Sequence, residues 1–432
     1  MVLLSMYCLL IYPTLISSHP HLILISSPSH LHLISIPTPT RYLHSSTHNT
    51  NMDEIIGRAR ALLQSSQEVK AIELLTPEIK KNPQNVPLLQ VFGEALLEAN
   101  DVESAYDVLQ KATELDPEAN FGVEKFLYLG QIIGGADGCT LINIAINKLN
   151  DQLQQLNADN DTDAALRELA KVHTSKESLQ AYLISKINQG IFAEIEIWMT
   201  DLCMEPEAEE QCDQLITHSL NMDPENPEAL SLLALIRISQ QKQDDAVEAL
   251  QKSWQLFSQK KLFLEQQQTK EGDEATFEYI ELVQPLLGLA RFAIELAMYD
   301  LAPQIAVAVS EINDNCLDCF YIEGLAYILK AKKLYAEKNP IEGDYREMDL
   351  LLLLKSDVEE IQTCIADAKS ALTQGYRVIN SAGAEALDPD LIDQVNEMLT
   401  VLGGPVISEL MPERGGGEDD VDWENEIVSD NE

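Results

Sequence analysis

Aromatic residues are scarce in this chain, and its basic residues are heavily outnumbered. Phe, Trp and Tyr make up 6% of the 432 residues, and 71 Asp and Glu stand against 29 Lys and Arg, a formal net charge of -42. Few rings beside abundant Ala, Leu and Ile favour helix packing over a sheet sandwich. The charge disfavours nucleic acid and anionic lipid as partners and favours basic proteins, although acidity also serves solubility alone.

The chain also lacks the residue sets that enzymes and metal sites need. Beyond residue 51 the only histidines are His173 and His218, so no Ser-His-Asp or Cys-His set is indicated. Seven scattered cysteines, an odd number, indicate reduced thiols in a cytosolic or nuclear protein. The single CxxC, Cys316 to Cys319, has no second ligand pair for zinc. We therefore predict no catalytic residue, no metal and no cofactor.

Two further stretches begin like ligand-binding loops but miss essential positions. Asp159, Asp161 and Asp163 start like a calcium loop, yet alanine stands at both the sixth and the twelfth positions. Residues 134–138 are rich in glycine but lack the Lys and Ser or Thr of a phosphate loop. We predict that residues 134–138 are a connecting loop.

The first 51 residues differ in composition from the rest. They contain no Asp, Glu or Lys, a single arginine, and six of the eight histidines. Without a positively charged start they make a poor signal peptide or mitochondrial presequence, and prolines interrupt their apolar run. We expect residues 1–51 to be a disordered or artefactual extension, with Met52 as the working start.

Small and apolar residues recur at an interval of 34 residues early in the chain. The pairs with this spacing are Ile55 and Leu89, Ala59 and Gly93, Leu62 and Leu96, Ala71 and Ala105, Leu75 and Leu109, and Pro83 and Pro117. This is the period of tetratricopeptide repeats, in which two antiparallel helices form a unit and the units stack. We predict an all-α superhelical solenoid whose concave face binds a peptide or protein.

Departures from the period predict where the solenoid is interrupted and where it ends. Residues 150–176 are predicted to be irregular, with a flexible loop before a helix at 163–172. The polar residues 259–273 are predicted to be a helical extension and a loop, and residues 338–349 an insertion. Asp388 is a good N-cap and is followed by proline, so it predicts a capping helix. We expect a tetratricopeptide-repeat solenoid with insertions over residues 52–402 and a disordered acidic tail over residues 403–432.

Candidate binding residues belong to the first helix of each unit, which lines the concave face in this architecture. Projecting the repeat alignment inward gives eight carboxylates and two aromatic residues: Glu94, Glu98, Glu124, Glu194, Asp201, Glu205, Glu228, Asp318, Trp198 and Tyr321. Such carboxylates can pair with Arg and Lys while the basic side-chain stems lie on the apolar strips between them. The pattern predicts a groove for an extended basic segment.

Four features of the middle and end of the chain form a recognisable set: Trp198–Glu209 with Cys212, the turn at Asp223 and Pro224, residues 237–241, and the acidic tail around Trp423. In these features the chain resembles a family of dedicated assembly chaperones of large-subunit ribosomal protein L4, known from fungi. The resemblance covers about residues 52–432. It implies a non-enzymatic protein that captures newly made ribosomal protein L4, shields its basic internal loop and escorts it to the nucleus.

Two other functions remain compatible with the residues themselves. One is a general tetratricopeptide scaffold with several partners, and the other is an acidic histone or nucleolar chaperone in which the tail is the main binder. We expect ribosomal protein L4 or another basic protein as the partner, with no direct contact to nucleic acid or membrane. We also expect a monomer that binds one client and acts in both the cytoplasm and the nucleus.

Overall fold

A computed structural model describes residues 50–65, 67–158, 163–173, 175–271, 278–341, 343–381 and 387–410. Within these ranges the regular structure is helical and no strand occurs. Most of the predicted extension and the tail from residue 411 lie outside the described residues, as do Asp159 and Asp161. The chain divides into two compact units, with the boundary between Phe263 and Leu264, inside a long helix.

The first unit contains ten helices and the start of an eleventh. They are α1 (Thr50–Gln64), α2 (Glu68–Lys81), α3 (Val86–Glu98), α4 (Val102–Leu115), α5 (Glu124–Ile133), α6 (Gly135–Asn157), α7 (Ala164–Val172), α8 (Lys176–Met199), α9 (Ala208–Met222), α10 (Pro227–Ser239) and α11 (Gln243–Glu271). Helices α1, α3, α5, α8 and α10 contact one another in series, and we call them the first-helix layer. Helices α2, α4, α6 and α9 each pack against the layer helices before and after them. This arrangement confirms the predicted tetratricopeptide fold.

The repeat period is visible in the contacts of the first unit. Gln90 Nε2 donates to Glu124 Oε2 at 2.9 Å, and the two residues are 34 positions apart. At the small position of the second repeat, a Cβ added to Gly93 would lie 2.6 Å from Leu109 Cδ2. Glycine therefore stands where the facing helix of the same repeat leaves no room for a Cβ.

The glycines at 134–138 do not form the predicted connecting loop. Only Gly134 lies outside a helix, and its φ of 64° turns the chain from α5 into α6 in one residue. Gly138 is helical and packs against α5, where an added Cβ would lie 2.3 Å from the backbone oxygen of Gly130. The loop prediction was wrong because glycine here permits helix contact rather than a flexible connection.

A buried ion pair joins the second and third repeats. Lys125 Nζ lies 2.9 Å from Asp116 Oδ2, and both side chains are almost completely inaccessible. Asp116 also accepts hydrogen bonds from the backbone N–H groups of Asn120 and Phe121, both at 2.9 Å. Lys125 donates in addition to the backbone oxygen of Gly122. Several hydrogen bonds thus satisfy a pair that burial would otherwise destabilise.

The second unit is built around two long antiparallel helices. Its helices are α12 (Val283–Glu295), α13 (Ala302–Ile312), α14 (Leu317–Lys338), α15 (Leu350–Leu353), α16 (Glu359–Ile379), α17 (Pro389–Val401) and α18 (Ile407–Leu410), with a 3₁₀ turn at Tyr345–Glu347. Helices α14 and α16 share the most extensive contact, and α12, α13 and α17 pack on them. The predicted insertion, residues 338–349, lies between α14 and α16 and contains the 3₁₀ turn, and α15 follows it directly.

The insertion is tied to the helices of the second unit by polar contacts. Lys332 Nζ donates to the backbone oxygen of Arg346 at 2.8 Å, and the hydroxyls of Tyr299 and Tyr345 lie 2.8 Å apart. The Arg346 side chain donates to the backbone oxygen of Glu295 at 3.1 Å. The segment between α14 and α16 is therefore fixed at its 3₁₀ turn.

Helix α17 begins where the sequence predicts a capping helix. Asp388 accepts from the backbone N–H of Asp390 at 2.9 Å, and Pro389 is the first helical residue. Residues 403–410, which the sequence analysis placed in the tail, pack on α16 through α18. The backbone N–H of Val406 donates to Thr373 Oγ1 at 3.0 Å, and Glu409 accepts from Ser370 at 2.9 Å.

Candidate functional site

The predicted binding residues are spread over both units. Their positions are Glu94 and Glu98 on α3, Glu124 on α5, Glu194 and Trp198 on α8, Asp201 and Glu205 in the turn after α8, Glu228 on α10, and Asp318 and Tyr321 on α14. Eight therefore belong to the first unit and two to the second. In the first unit they lie on the first-helix layer or in the turn that follows α8.

Three of the carboxylates come together with two basic residues in the first unit. Glu94, Glu98 and Glu124 interact with one another through Glu94, and Arg60 and Lys186 act on both Glu94 and Glu124. We call these five residues the Glu94 cluster. The cluster draws side chains from α1, α3, α5 and α8, so the first-helix layer carries compensating positive charge that the sequence analysis did not include.

The environments of Glu94 and Glu124 shift their pKa values in opposite directions. Burial raises the pKa of Glu94 to about 7, against the attraction of Arg60. Burial also acts on Glu124, but Lys186, the backbone N–H at the start of α5 and Arg60 outweigh it and hold its pKa below the usual value. Near neutral pH, Glu124 is therefore a fixed anion, whereas Glu94 is partly protonated.

Gln90 supplies an unpaired acceptor beside the cluster. Its side chain is 3% exposed, and its Nε2 is used by Glu124. Its Oε1 is buried and has no hydrogen-bond partner in the described part of the chain. Glu94 likewise makes no hydrogen bond and no ion pair with any described residue. The cluster thus has unused acceptor capacity, which a donor-rich cation could satisfy.

Glu194 and Trp198 form a second polar group on α8. Glu194 is 4% exposed, and its Oε1 accepts from Asn143 Nδ2 at 2.9 Å. Its Oε2 and the indole Nε1 of Trp198 are both buried, and neither has a hydrogen-bond partner among the described residues. Burial raises the pKa of Glu194, which Asn143 and the nearby Trp198 partly offset. The structure thus places two of the predicted binding residues close together on α8.

The turn after α8 has a structural role as well as exposed charge. Asp201 Oδ2 accepts from the backbone N–H of Gly135 at 2.9 Å and so caps the start of α6. Glu205 is exposed and has no side-chain partner among the described residues. Reversing the charge of Asp201 would therefore disturb α6, whereas the same change at Glu205 alters only the surface charge.

The remaining predicted residues differ in their burial and in the cations that lie near them. Burial raises the pKa of half-buried Glu228 on α10, with Lys260 acting in the opposite direction. In the second unit, Asp318 is paired with Arg291 at 2.6 Å, and both side chains are partly exposed. Burial raises the pKa of Tyr321 to about 12, opposed by Arg291. Asp318 therefore already has a cation within its own unit.

Sequence reasoning missed the basic members of the Glu94 cluster because it followed the net charge. One signal could have found the first of them, since Arg60 precedes Glu94 by 34 residues and occupies the same repeat position. Lys186 is 1% exposed on an apolar helix, and nothing in its spacing distinguishes it. Glu323 was also missed, and burial with repulsion from Asp367 raises its pKa to about 7.

Other kinds of site find little support in the described ranges. No group of three or more His, Cys, Asp and Glu residues there could hold a metal ion. Cys316 is the N-cap residue of α14, and Cys319 Sγ donates to the backbone oxygen of Cys316 at 3.0 Å. Both cysteines are buried, in keeping with a core position. None of the helices described has both the length and the apolar character needed to cross a bilayer.

Comparison with known proteins gives consistent matches. Residues 315–424 match the model of the ACL4 C-terminal domain. Over 380 residues the chain is 27% identical to the "Probable assembly chaperone of rpl4" of Schizosaccharomyces pombe, covering 86% of this chain and 95% of the relative. The protein of the same description from Emericella nidulans is 24% identical over 398 residues, 89% of this chain and 90% of the relative. The chain is similar to the Acl4 family over most of its length.

A solved structure shares the fold of this chain. It is described as "Assembly Chaperone of RpL4 (Acl4) (Residues 1-338)" and is 24% identical, with a TM-score of 0.52. The match covers 67% of this chain and 100% of the solved one. The family resemblance in the sequence is therefore confirmed. The curated relatives are named as assembly chaperones, a non-enzymatic role, which also confirms the expectation that this chain is not an enzyme.

Proposed function

We propose that this chain is an assembly chaperone that binds ribosomal protein L4, Rpl4, through its first-helix layer. The observation that carries the proposal is the Glu94 cluster, in which three carboxylates meet and one of them, Glu94, has no ion-pair partner in the described part of the chain. The printed names of the curated relatives support Rpl4 as the client. The client segment we propose is its basic internal loop.

Electrostatics gives a physical reason for such a chaperone. A basic loop that is not yet in a ribosome would bind RNA indiscriminately, and an acidic surface neutralises it reversibly. Charge-assisted hydrogen bonds from client Arg and Lys to the carboxylates would supply specificity. Because Glu98 and Glu205 are exposed, their share of the attraction is screened by salt. We therefore expect the affinity for Rpl4 to fall as salt is added.

Charge reversal on the first-helix layer tests the proposed site. The double variant Glu98→Lys and Glu205→Lys changes two exposed residues that cap no helix. We expect Rpl4 binding, measured by titration calorimetry with the full chain, to weaken roughly tenfold or more. The matched control is Glu103→Lys with Glu114→Lys, which makes the same charge change on exposed positions of α4. Equal weakening by both doubles would contradict the first-helix layer as the site.

Removal of the acidic tail separates this proposal from a tail-driven histone or nucleolar chaperone. If the first-helix layer binds Rpl4, a chain lacking residues 415–432 keeps most of its affinity. Loss of nearly all binding would favour the tail-driven alternative. If the chain is instead a general scaffold, we expect several proteins to bind it, with affinities that depend little on how basic they are.

Delivery and stoichiometry complete the proposal. We propose a monomer that binds one Rpl4 in the cytoplasm and accompanies it to the nucleus for assembly of the large ribosomal subunit. Depleting the chaperone should lower the nuclear fraction of tagged, newly made Rpl4. Light scattering of the purified complex should give the mass of one copy of each chain.

A further inference from the structure

The Glu94 cluster and the adjoining Gln90 contain two hydrogen-bond acceptors that have no partner among the described residues. The carboxylate of Glu94 is half-buried without a hydrogen bond or ion pair to a described residue. The nearby side chain of Gln90 is 97% inaccessible, and its Oε1 has no partner there. The Gln90 amide oxygen is a hydrogen-bond acceptor, and the Glu94 carboxylate is one when it is ionised. They indicate a place for a ligand that brings N–H donors and positive charge.

The groups around Glu94 come from several helices. Arg60 on α1 and Lys186 on α8 attract its charged form, and Glu124 on α5 and Glu98 on α3 oppose it. Glu68 on α2 acts on Glu98. Tyr128 on α5 is buried, and burial together with Glu94, Glu124 and Glu98 raises its pKa. In this environment the pKa of Glu94 is about 7, so Glu94 is the member of the cluster that changes its charge near neutral pH.

We propose that the Glu94 cluster receives one basic side chain of the client and that a proton leaves Glu94 when it does. This inference rests on the proposed function and adds to it a regulation of the same site. Before binding, a proton neutralises the Glu94 carboxylate. The guanidinium or ammonium group of the client neutralises it instead, and the carboxylic acid releases its proton to the solvent. Client capture is therefore tighter at higher pH and weaker at lower pH.

The direction and size of the effect follow from proton linkage. With a pKa of about 7, Glu94 holds about half a proton at pH 7, and the incoming cation displaces it. At pH 6 most chains must lose a full proton before they bind, whereas at pH 8 few must. We therefore expect the affinity for Rpl4 to be up to about tenfold higher at pH 8 than at pH 6.

The test is a titration of the full chain with purified Rpl4 at pH 7 in phosphate and in Tris, whose ionisation enthalpies differ. The dependence of the binding enthalpy on the buffer gives the number of protons released. We expect Glu94→Gln to release about half a proton fewer than the unaltered chain. Other carboxylates with raised pKa values, such as Glu194 and Glu228, remain in this variant, so its proton release need not vanish.

Glu323→Gln is the matched control, because Glu323 also has a pKa near 7 but lies in the second unit. It should leave the proton release unchanged. Circular dichroism checks that Glu94→Gln and the unaltered chain are both folded. If the two then release the same number of protons on binding Rpl4, the inference is overturned, while the proposed function stays intact. Failure of the unaltered chain to bind Rpl4 at all would instead overturn the proposed function.

Discussion

At the scale of single residues, neighbouring carboxylates in this chain have different electrostatic roles. Glu124 begins helix α5 and receives a hydrogen bond from Gln90, so its charge is stabilised. Glu94 lies within α3 and has no such partner in the part of the chain that the structure describes, so burial dominates its pKa. Identical side chains beside the same cations therefore serve as a permanent anion and as a titrating group.

Replacing Glu94 with Gln should stabilise the fold above neutral pH. Because the folded-state pKa of Glu94 is raised to about 7, its contribution to stability is present at low pH and is lost as pH rises from about 4.5 to 7. Gln avoids that loss, and since Glu94 is only half-buried we expect a gain of about 1–2 kcal/mol at pH 8. Urea unfolding at pH 8 and pH 5 measures it, and the gain should nearly disappear at pH 5. An equal gain at both pH values would contradict the role of ionisation.

Removing one partner of the buried Lys125–Asp116 pair should destabilise the first unit. In Lys125→Met the carboxylate of Asp116 stays buried and keeps only its two backbone N–H donors. We expect a loss of about 3 kcal/mol in the free energy of unfolding, measured by urea denaturation. Lys111→Met, at an exposed position of α4, should change it by less than about 0.5 kcal/mol. Similar values for the two variants would show that the pair contributes little.

At this scale the sequence predicted the acidic members of the candidate site but not their surroundings. Carboxylates at repeat positions could be read from the 34-residue period. Asp318 pairs with Arg291, which lies 27 positions away in the sequence. Asp201 accepts from the backbone N–H of Gly135, which lies 66 positions away. Such contacts depend on the packing of helices that no local pattern defines, which is why the free and the engaged carboxylates could not be separated beforehand.

At the scale of helices, local signals predicted the beginnings and ends of several elements. Asp388 and Pro389 start α17, and α2 ends two residues before Pro83, because proline lacks the donor that a continuing helix needs. The glycines at 134–138 were misread, because close helix contact and chain turning select the same residue type. Only the positions of neighbouring helices distinguish these two causes.

The close approach of α5 and α6 predicts that alanine destabilises the fold at Gly138 but not at a glycine that lies in open space. Alanine at Gly138 would place its Cβ 2.3 Å from the Gly130 backbone oxygen, and that backbone cannot rotate away as a side chain can. We expect Gly138→Ala to lower the free energy of unfolding by about 1–3 kcal/mol. Gly288→Ala is the control, since its site on α12 is open within 4 Å, and it should stabilise by up to about 1 kcal/mol. Denaturant unfolding compares them, and a harmless Gly138→Ala would refute the packing argument.

At the scale of the whole molecule, the net charge of -42 acts on stability and on binding in opposite directions. Self-repulsion destabilises a compact acidic chain and is screened by salt. We expect the thermal midpoint, followed by circular dichroism, to rise by several degrees between about 50 mM and 500 mM NaCl. Rpl4 affinity should fall over the same range. A midpoint that is constant or falls would show that local ion pairs outweigh the net charge.

The attachment of residues 403–410 to α16 determines where the chain can be shortened. A cut after Leu410 leaves the bonds of Val406 to Thr373 and of Glu409 to Ser370 in place, whereas a cut after Leu402 removes both. The shorter product would expose the face of α16 that α18 covers, and any lost binding could then be damage to the second unit. Experiments that assign a role to the acidic residues at the carboxyl end are therefore interpretable only when the cut is made beyond Leu410.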